Sequence, residues 1–239
     1  MATFVLVQGA IVGGWCWRWV APELRAAGHQ VYTPTLTGLG ERVHLASPQV
    51  DLDTHITDIV NVLKYEDLTG VVLVGWSYGG MVVAGAADRS AGRIAHVVYF
   101  DSDIPRDGDT SLPPSRHAAM AELARLHGDG WRVPPAVTRA KDLLLTELPD
   151  GQRRWIEARF APQMLAAWLQ PIRLTGAADA LPTTYIRCTV GYDPADEDTQ
   201  RQDARIRSEP QWRYRELAAS HAAPFTAPRA LAELLLEVV

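Results

Sequence analysis

The sequence predicts an α/β fold: a mostly parallel sheet with helices on both faces and a helical cap inserted into it. Three observations carry this expectation. Short, nearly pure apolar runs alternate with amphipathic helical segments from the N-terminus onward. The 239 residues, 47% of them hydrophobic, are enough for one domain with a large core. A Pro-rich stretch, residues 104–182, interrupts the alternation once.

Taken in order, strand-like runs lie at residues 4–7, 30–33, 71–74, Ile94–Phe100, 184–189 and 212–216. Helical patterns lie between them. The first spans 18–27 and stops at Gly28; the second spans 54–65, where Ile56, Ile59, Val60 and Leu63 form one apolar face. Two more are expected at 80–88 and 228–238, the last opening with Pro228 in its first turn. The sheet domain is therefore read as residues 1–103 and 183–239, and the inserted cap as 104–182, with Trp131, Trp155 and Trp168 among its aromatics.

Composition excludes several classes. A net charge of −5 leaves no electrostatic footprint for nucleic acid or an anionic membrane. Cys16 and Cys188 are too few for a disulfide framework and read as buried free thiols. No charged region precedes the first apolar stretch, which the sheet itself needs, so a cytoplasmic location is expected rather than export. The expected partner is a small hydrophobic or aromatic molecule, and the expected state a monomer or homodimer.

The most informative motif is Gly75-Trp76-Ser77-Tyr78-Gly79. By itself G-x-S-x-G is cheap, arising by chance in roughly one chain in ten of this length. Here it follows a strand and opens a helix, the context of a nucleophile elbow, where a Cβ at either glycine would strike the crossing strand and helix. A serine hydroxyl needs a base and a group that orients the base. His221, on the loop after the last strand, stands where that base is expected; His29, His55, His96, His117 and His127 fall in a strand entrance, a helix start, a strand and the cap. An oxyanion hole would draw one N–H from Tyr78 and one from Ala10, in the loop after the first strand, with Gly9 permitting close approach.

Together with Gly9-Ala10, the run Gly13-Gly14-Trp15-Cys16-Trp17, the stretch Thr33-Pro34-Thr35-Leu36-Thr37-Gly38-Leu39-Gly40-Glu41-Arg42, the segment Tyr185-Ile186-Arg187-Cys188-Thr189 and His221, the motif resembles one family across nearly the whole chain. It is the α/β-hydrolase branch of salicylate-ester esterases, plant hydroxynitrile lyases and bacterial esterase relatives. The resemblance implies an α/β-hydrolase fold, a Ser-His-acid triad, no cofactor, no metal site, and a small, often aromatic ester as substrate.

The departures are informative. Gln8 replaces the family's usual His before the oxyanion glycine, Val12 a second His, and Trp76 the usual His or Glu before the nucleophile. Ala222 stands where the lyases carry lysine, and the only lysines are Lys64 and Lys141, which argues against cyanohydrin cleavage. The esterase acid position is Gly191, leaving two alternatives: Asp193, two residues on, and Asp101, at the end of the strand Ile94–Phe100. Asp101 is favoured, because active-site groups gather at the carboxyl edge of such sheets. The acidic run Asp196-Glu197-Asp198 and Arg201, Arg205 and Arg207 read as a solvated helix start and face.

The leading expectation is an esterase or lactonase using Ser77, His221 and Asp101, with Gln8, Val12, Trp76, Trp131, Trp155 and Trp168 around the substrate. The alternatives are non-hydrolytic chemistry on the same scaffold (cyclisation, decarboxylation or retro-Claisen cleavage of a bacterial secondary metabolite) and a small-molecule receptor with little turnover.

Overall fold

A computed structural model describes residues 1–138, 148–195 and 197–239; Lys141 and Asp196 lie outside the described residues. Six parallel strands form the main sheet: β1 (Thr3–Val7), β2 (Gln30–Tyr32), β3 (Val71–Trp76), β4 (Ile94–Phe100), β7 (Thr183–Cys188) and β8 (Arg213–Leu217), in the order β2-β1-β3-β4-β7-β8. The central strand β3 is buried along its whole length, whereas the edge strand β8 buries only Leu217. Strands covered on both faces have no polar face to alternate with, which is why β1, β3 and β4 read as continuous apolar runs.

Alternate residues of these strands feed two separate cores. Val5, Val7, Val71, Leu73, Val97, Tyr99 and Tyr185 pack with α2 (Leu52–Tyr65) and α3 (Gly79–Arg89). Phe4, Leu6, Val72, Val74, Trp76, Val98, Phe100 and Ile186 pack with α1 (Ala21–Ala26) and α9 (Pro228–Leu236). Helix α2 begins two residues before the expected start. Asp51 caps it, accepting from the Thr54 N–H at 2.8 Å, with Thr54 returning the contact to the Asp51 N–H.

Between β4 and β7 lie α4 (Pro114–His127), the short strands β5 (Arg132–Val133) and β6 (Gln163–Met164), paired antiparallel, and helices α5 (Asp150–Glu157) and α6 (Leu165–Leu169). Helix α7 (Glu197–Arg207) precedes β8, and α8 (Ala223–Thr226) follows the His221 loop. On α7, Arg205 is not a freely solvated side chain: it pairs with Glu209 and lies 5.5 Å over the Trp212 ring. Both cysteines are buried free thiols. Among the described residues, no helix is long and apolar enough to cross a membrane.

His96 is buried in β4 with its Nε2 2.8 Å from Thr184 Oγ1. Burial, and secondarily the charge of Arg213, push its pKa down to about 4. An unfolded chain takes up this proton near pH 6.5, so below that the unfolded state binds a proton that the native state refuses. His96 therefore withdraws stability as pH falls from about 6.5 towards 4. The thermal midpoint of His96→Gln is expected to fall less than the parent's between pH 7 and pH 4.5 in scanning calorimetry. Parallel curves would show that other groups govern the acid limb.

Candidate active site

The strand order reverses between β1 and β3, and the loops that leave these two strands build the site. After β3 the chain turns into α3 through Ser77, whose φ of +54° lies in the left-handed region that L-residues avoid. Neighbouring backbone holds it there: the Ser77 N–H donates to Phe100 O at 3.2 Å, and Ser77 O accepts from the Gly80 N–H at 2.9 Å. The β1 loop presses against it. A Cβ added to Gly9 would stand 3.1 Å from Ser77 Cβ, so Gly9-Ala10 runs directly beside the serine.

Asp101 leaves β4 at φ +42°, its N–H donating to Ile186 O at 2.7 Å on the neighbouring strand. This bend aims the carboxylate across the strand ends. Oδ1 accepts from the Cys188 N–H at 3.1 Å, and Oδ2 lies 2.6 Å from His221 Nδ1. Burial pushes the Asp101 pKa upward, but the His221 hydrogen bond and charge, the Cys188 N–H and the Arg187 charge outweigh it, so the pKa is lowered overall. An ionised carboxylate only accepts, so Nδ1 carries the hydrogen and Nε2 is left as the basic nitrogen. Asp193 is elsewhere: it is exposed and folded onto its own turn, accepting from the Ala195 N–H at 2.9 Å.

Tyr78, first residue after the serine, is held from behind. Its hydroxyl lies 2.8 Å from His55 Nδ1, and His55 Nε2 lies 2.9 Å from Thr37 O. A carbonyl cannot donate, so Nε2–H donates to Thr37 and Nδ1 accepts the Tyr78 O–H. Burial lowers the His55 pKa, in keeping with this neutral tautomer. Thr37 in turn is fixed by Asp58 through its N–H at 2.6 Å and its hydroxyl at 2.9 Å. No sequence motif marks this hydrogen-bonded series, because its members are scattered over separate segments.

The residues expected around the substrate take different places in the fold. Gln8 is fully buried; its amide, oriented to satisfy its neighbours, donates to Pro34 O at 2.8 Å and accepts from the Leu36 N–H at 3.1 Å. It is a brace between two loops. Val12 is fully buried in the second core. Trp76 is 1% exposed and packs between Trp17, Phe225 and His221. All three are buried among protein neighbours.

The tryptophans between β4 and β7 divide. Trp155, on α5, packs against the segment after β1, with Trp15 and Trp19 edge-on at 5.4 Å each and the guanidinium of Arg159 3.8 Å over its ring. Trp168 is buried in the other core, where the half-buried Trp131 packs against it. Trp131 alone of the three keeps appreciable exposed surface outside such packing.

Trp76 acquires a different role. Its indole N–H donates to the His221 carbonyl at 3.2 Å, and its ring lies 5.5 Å from the imidazole. Trp76→Phe keeps most of the packing and deletes the donor. It is expected to cost about 1 kcal/mol of stability and severalfold in turnover of an aryl ester; unchanged turnover would show that Asp101 alone sets the imidazole.

A family profile described as the alpha/beta hydrolase family matches residues 4–234. A carbendazim hydrolyzing esterase from Nocardioides sp. (strain SG-4G) is 37% identical over 98% of both chains. A pheophorbidase from Raphanus sativus is 29% identical, covering 99% of this chain and 93% of the relative. Among solved structures, an extracellular alpha/beta-hydrolase from a Paenibacillus species, described as sharing structural and functional homology with tobacco salicylic acid binding protein 2, superimposes with a TM-score of 0.82 at 24% identity, covering 99% of this chain and 98% of its own. A methylesterase from Arabidopsis does so with a TM-score of 0.78 at 24% identity, covering 100% and 98%.

Proposed function

The chain belongs to the alpha/beta hydrolase family, and on that premise we propose that it is a serine esterase of small hydrophobic or aromatic esters. The observation that carries this reading is the 2.6 Å contact between His221 Nδ1 and Asp101 Oδ2, with the left-handed Ser77 (φ +54°) following Trp76, whose indole donates to the His221 carbonyl. Ser77 Oγ attacks the ester carbonyl while His221 Nε2 takes its proton. The N–H groups of Ala10 and Tyr78 hold the oxyanion, and His221 returns the proton to the departing alcohol. Water then repeats the sequence on the acyl-serine. Asp101 stays ionised throughout and stabilises the imidazolium.

The esterase name of the 37% identical relative supports an ester over the non-hydrolytic and receptor alternatives. Half-buried Trp131 and Ala10 offer apolar surface for the acyl or alcohol portion.

The test is intact-mass analysis after exposure to an alkyl fluorophosphonate. One adduct on Ser77 is expected in the parent and none in His221→Ala. Absence of an adduct in a folded parent would overturn the reading and bring the receptor alternative forward.

A further inference from the structure

The loop that supplies Ala10 contains a residue in an unfavourable conformation. Ile11 has φ +61°, in the left-handed region where a β-branched side chain is a genuine outlier. Such a conformation costs of order 1–3 kcal/mol and persists only where the surroundings over-determine it. The Ile11 side chain is fully buried in the second core, which fixes one end of the residue. Its two backbone groups are fixed by the cap. Ile11 O accepts from the Ala161 N–H at 2.8 Å, and the Ile11 N–H donates to Gln163 Oε1 at 3.4 Å.

Gln163 is placed for this by the cap's own small sheet. It pairs with Val133 across β5 and β6. Beside it Met164 beds onto the loop after β2 so closely that a Cβ on Gly38 would stand 2.8 Å from Met164 Cε. The carboxamide is fully buried, and among the described residues its Nε2 has no hydrogen-bond partner. A buried orphan N–H costs about 1–3 kcal/mol, whereas one long hydrogen bond returns about 1 kcal/mol or less. A glutamine here therefore does not serve folding stability. Its bond falls on the Ile11 N–H, one peptide from the Ala10 N–H, on the loop that lies against Ser77.

We propose that Gln163 is a positioning residue for the oxyanion hole: its Oε1, with the Ala161 N–H, clamps Ile11 in the left-handed conformation that aims the Ala10 N–H at the developing oxyanion. The cap thus completes the catalytic geometry as well as roofing it. At 3.4 Å the Gln163 bond is the longer arm of this clamp, and the Ala161 bond at 2.8 Å the shorter. This inference rests on the proposed Ser77 chemistry, and the experiment separates the two.

The measurement is saturable labelling of Ser77 by an alkyl fluorophosphonate, which yields a binding constant and a maximal inactivation rate separately. The variants are Gln163→Met, which keeps the length, and Gln163→Leu, which keeps the bulk; each that retains the parent's circular dichroism is read. Both exchange one orphaned buried donor, Nε2, for another, the Ile11 N–H, so their thermal midpoints should stay close to the parent's. The maximal rate is expected to fall about ten- to hundredfold, the scale of a displaced catalytic group, with the binding constant unchanged. A parent labelled in a His221-dependent way, with the variants labelled equally fast, would overturn the role of Gln163 and leave the serine chemistry standing. A change confined to the binding constant would make Gln163 a ligand contact instead. Loss of folding in both variants would make it a scaffold residue and end the proposal. No labelling of the folded parent would remove the Ser77 chemistry, and this inference with it.

Discussion

Asp101→Asn is expected to lower kcat for an aryl ester about 10⁴-fold, while Asp193→Asn leaves turnover at the parent's level. The carboxylate at 101 accepts from His221 Nδ1 at 2.6 Å and from the Cys188 N–H at 3.1 Å, so both oxygens are committed. An asparagine can satisfy only one of these partners with its carbonyl. If it faces Cys188, its NH2 group meets His221 and drives the hydrogen from Nδ1 to Nε2, the nitrogen that must receive the serine proton. The geometry around the ring can survive while the chemistry stops. Asp193, exposed and bound to its own turn at Ala195, has no such consequence. Steady-state turnover of a p-nitrophenyl ester by the two variants decides the matter. An intact rate in Asp101→Asn with a collapsed rate in Asp193→Asn would move the acid to the later loop.

The Asp101 variant should also lose its acid-limb contribution to stability. The native pKa of Asp101 is lowered, so the ionised group stabilises the fold above the unfolded carboxylate range and loses that contribution as pH falls through the native value. Asparagine has no such dependence, so the gap in thermal midpoint between parent and variant should narrow on acidification.

What the sequence revealed follows from how local each signal is. The strand Ile94–Phe100 has the same bounds in the sequence reading and in the structure, because a strand buried on both faces is an apolar run with polar residues at its ends. The elbow is equally local: strand, turn and helix are contiguous, and the two glycines are forced by space. The start of α2 was less legible, because its capping box has Thr54 rather than Glu or Gln at the third helical position. The four-residue helix Ala223–Thr226 carries no periodic signal at all. The acid could be narrowed to two aspartates, with Asp101 favoured by its place at the carboxyl edge of the sheet, but no pattern carries the φ of +42° that swings Asp101 toward Cys188 and His221. Least legible were the roles of Gln8, Trp76 and Gln163. Each depends on which backbone its side chain meets, 145 residues away for Trp76 and 152 for Gln163. Equally illegible was that the Trp155 ring meets Trp15 and Trp19, contacts between residues far apart in the chain.

Gly75→Ala is expected to destabilise the protein by about 3 kcal/mol or more, at the upper end of overpacking effects. The reason is space, not backbone freedom. A Cβ at 75 would stand 2.5 Å from Gly79 O and 2.6 Å from Val83 Cγ2. Gly79 O belongs to the first turn of α3, and α3 cannot retreat: a Cβ on Gly79 would already stand 2.7 Å from Gln8 O, and one on Gly80 2.5 Å from Asp103 O. Strand, elbow and helix are wedged between β1 and the end of β4, so the extra methyl must push the elbow itself. In a domain of this size about 3 kcal/mol lowers the thermal midpoint by roughly 6–12 °C, and displacement of Ser77 should remove fluorophosphonate labelling even where the chain still folds. Gly28→Ala is the control. Gly28 has φ +88° but nothing within 4 Å of an added Cβ, so alanine there meets only backbone strain, about 1–2 kcal/mol, with labelling intact. If Gly75→Ala loses no more stability than Gly28→Ala and still labels, then the elbow can yield, and the left-handed Ser77 is held by its hydrogen bond to Phe100 rather than by the packing of α3 against the sheet.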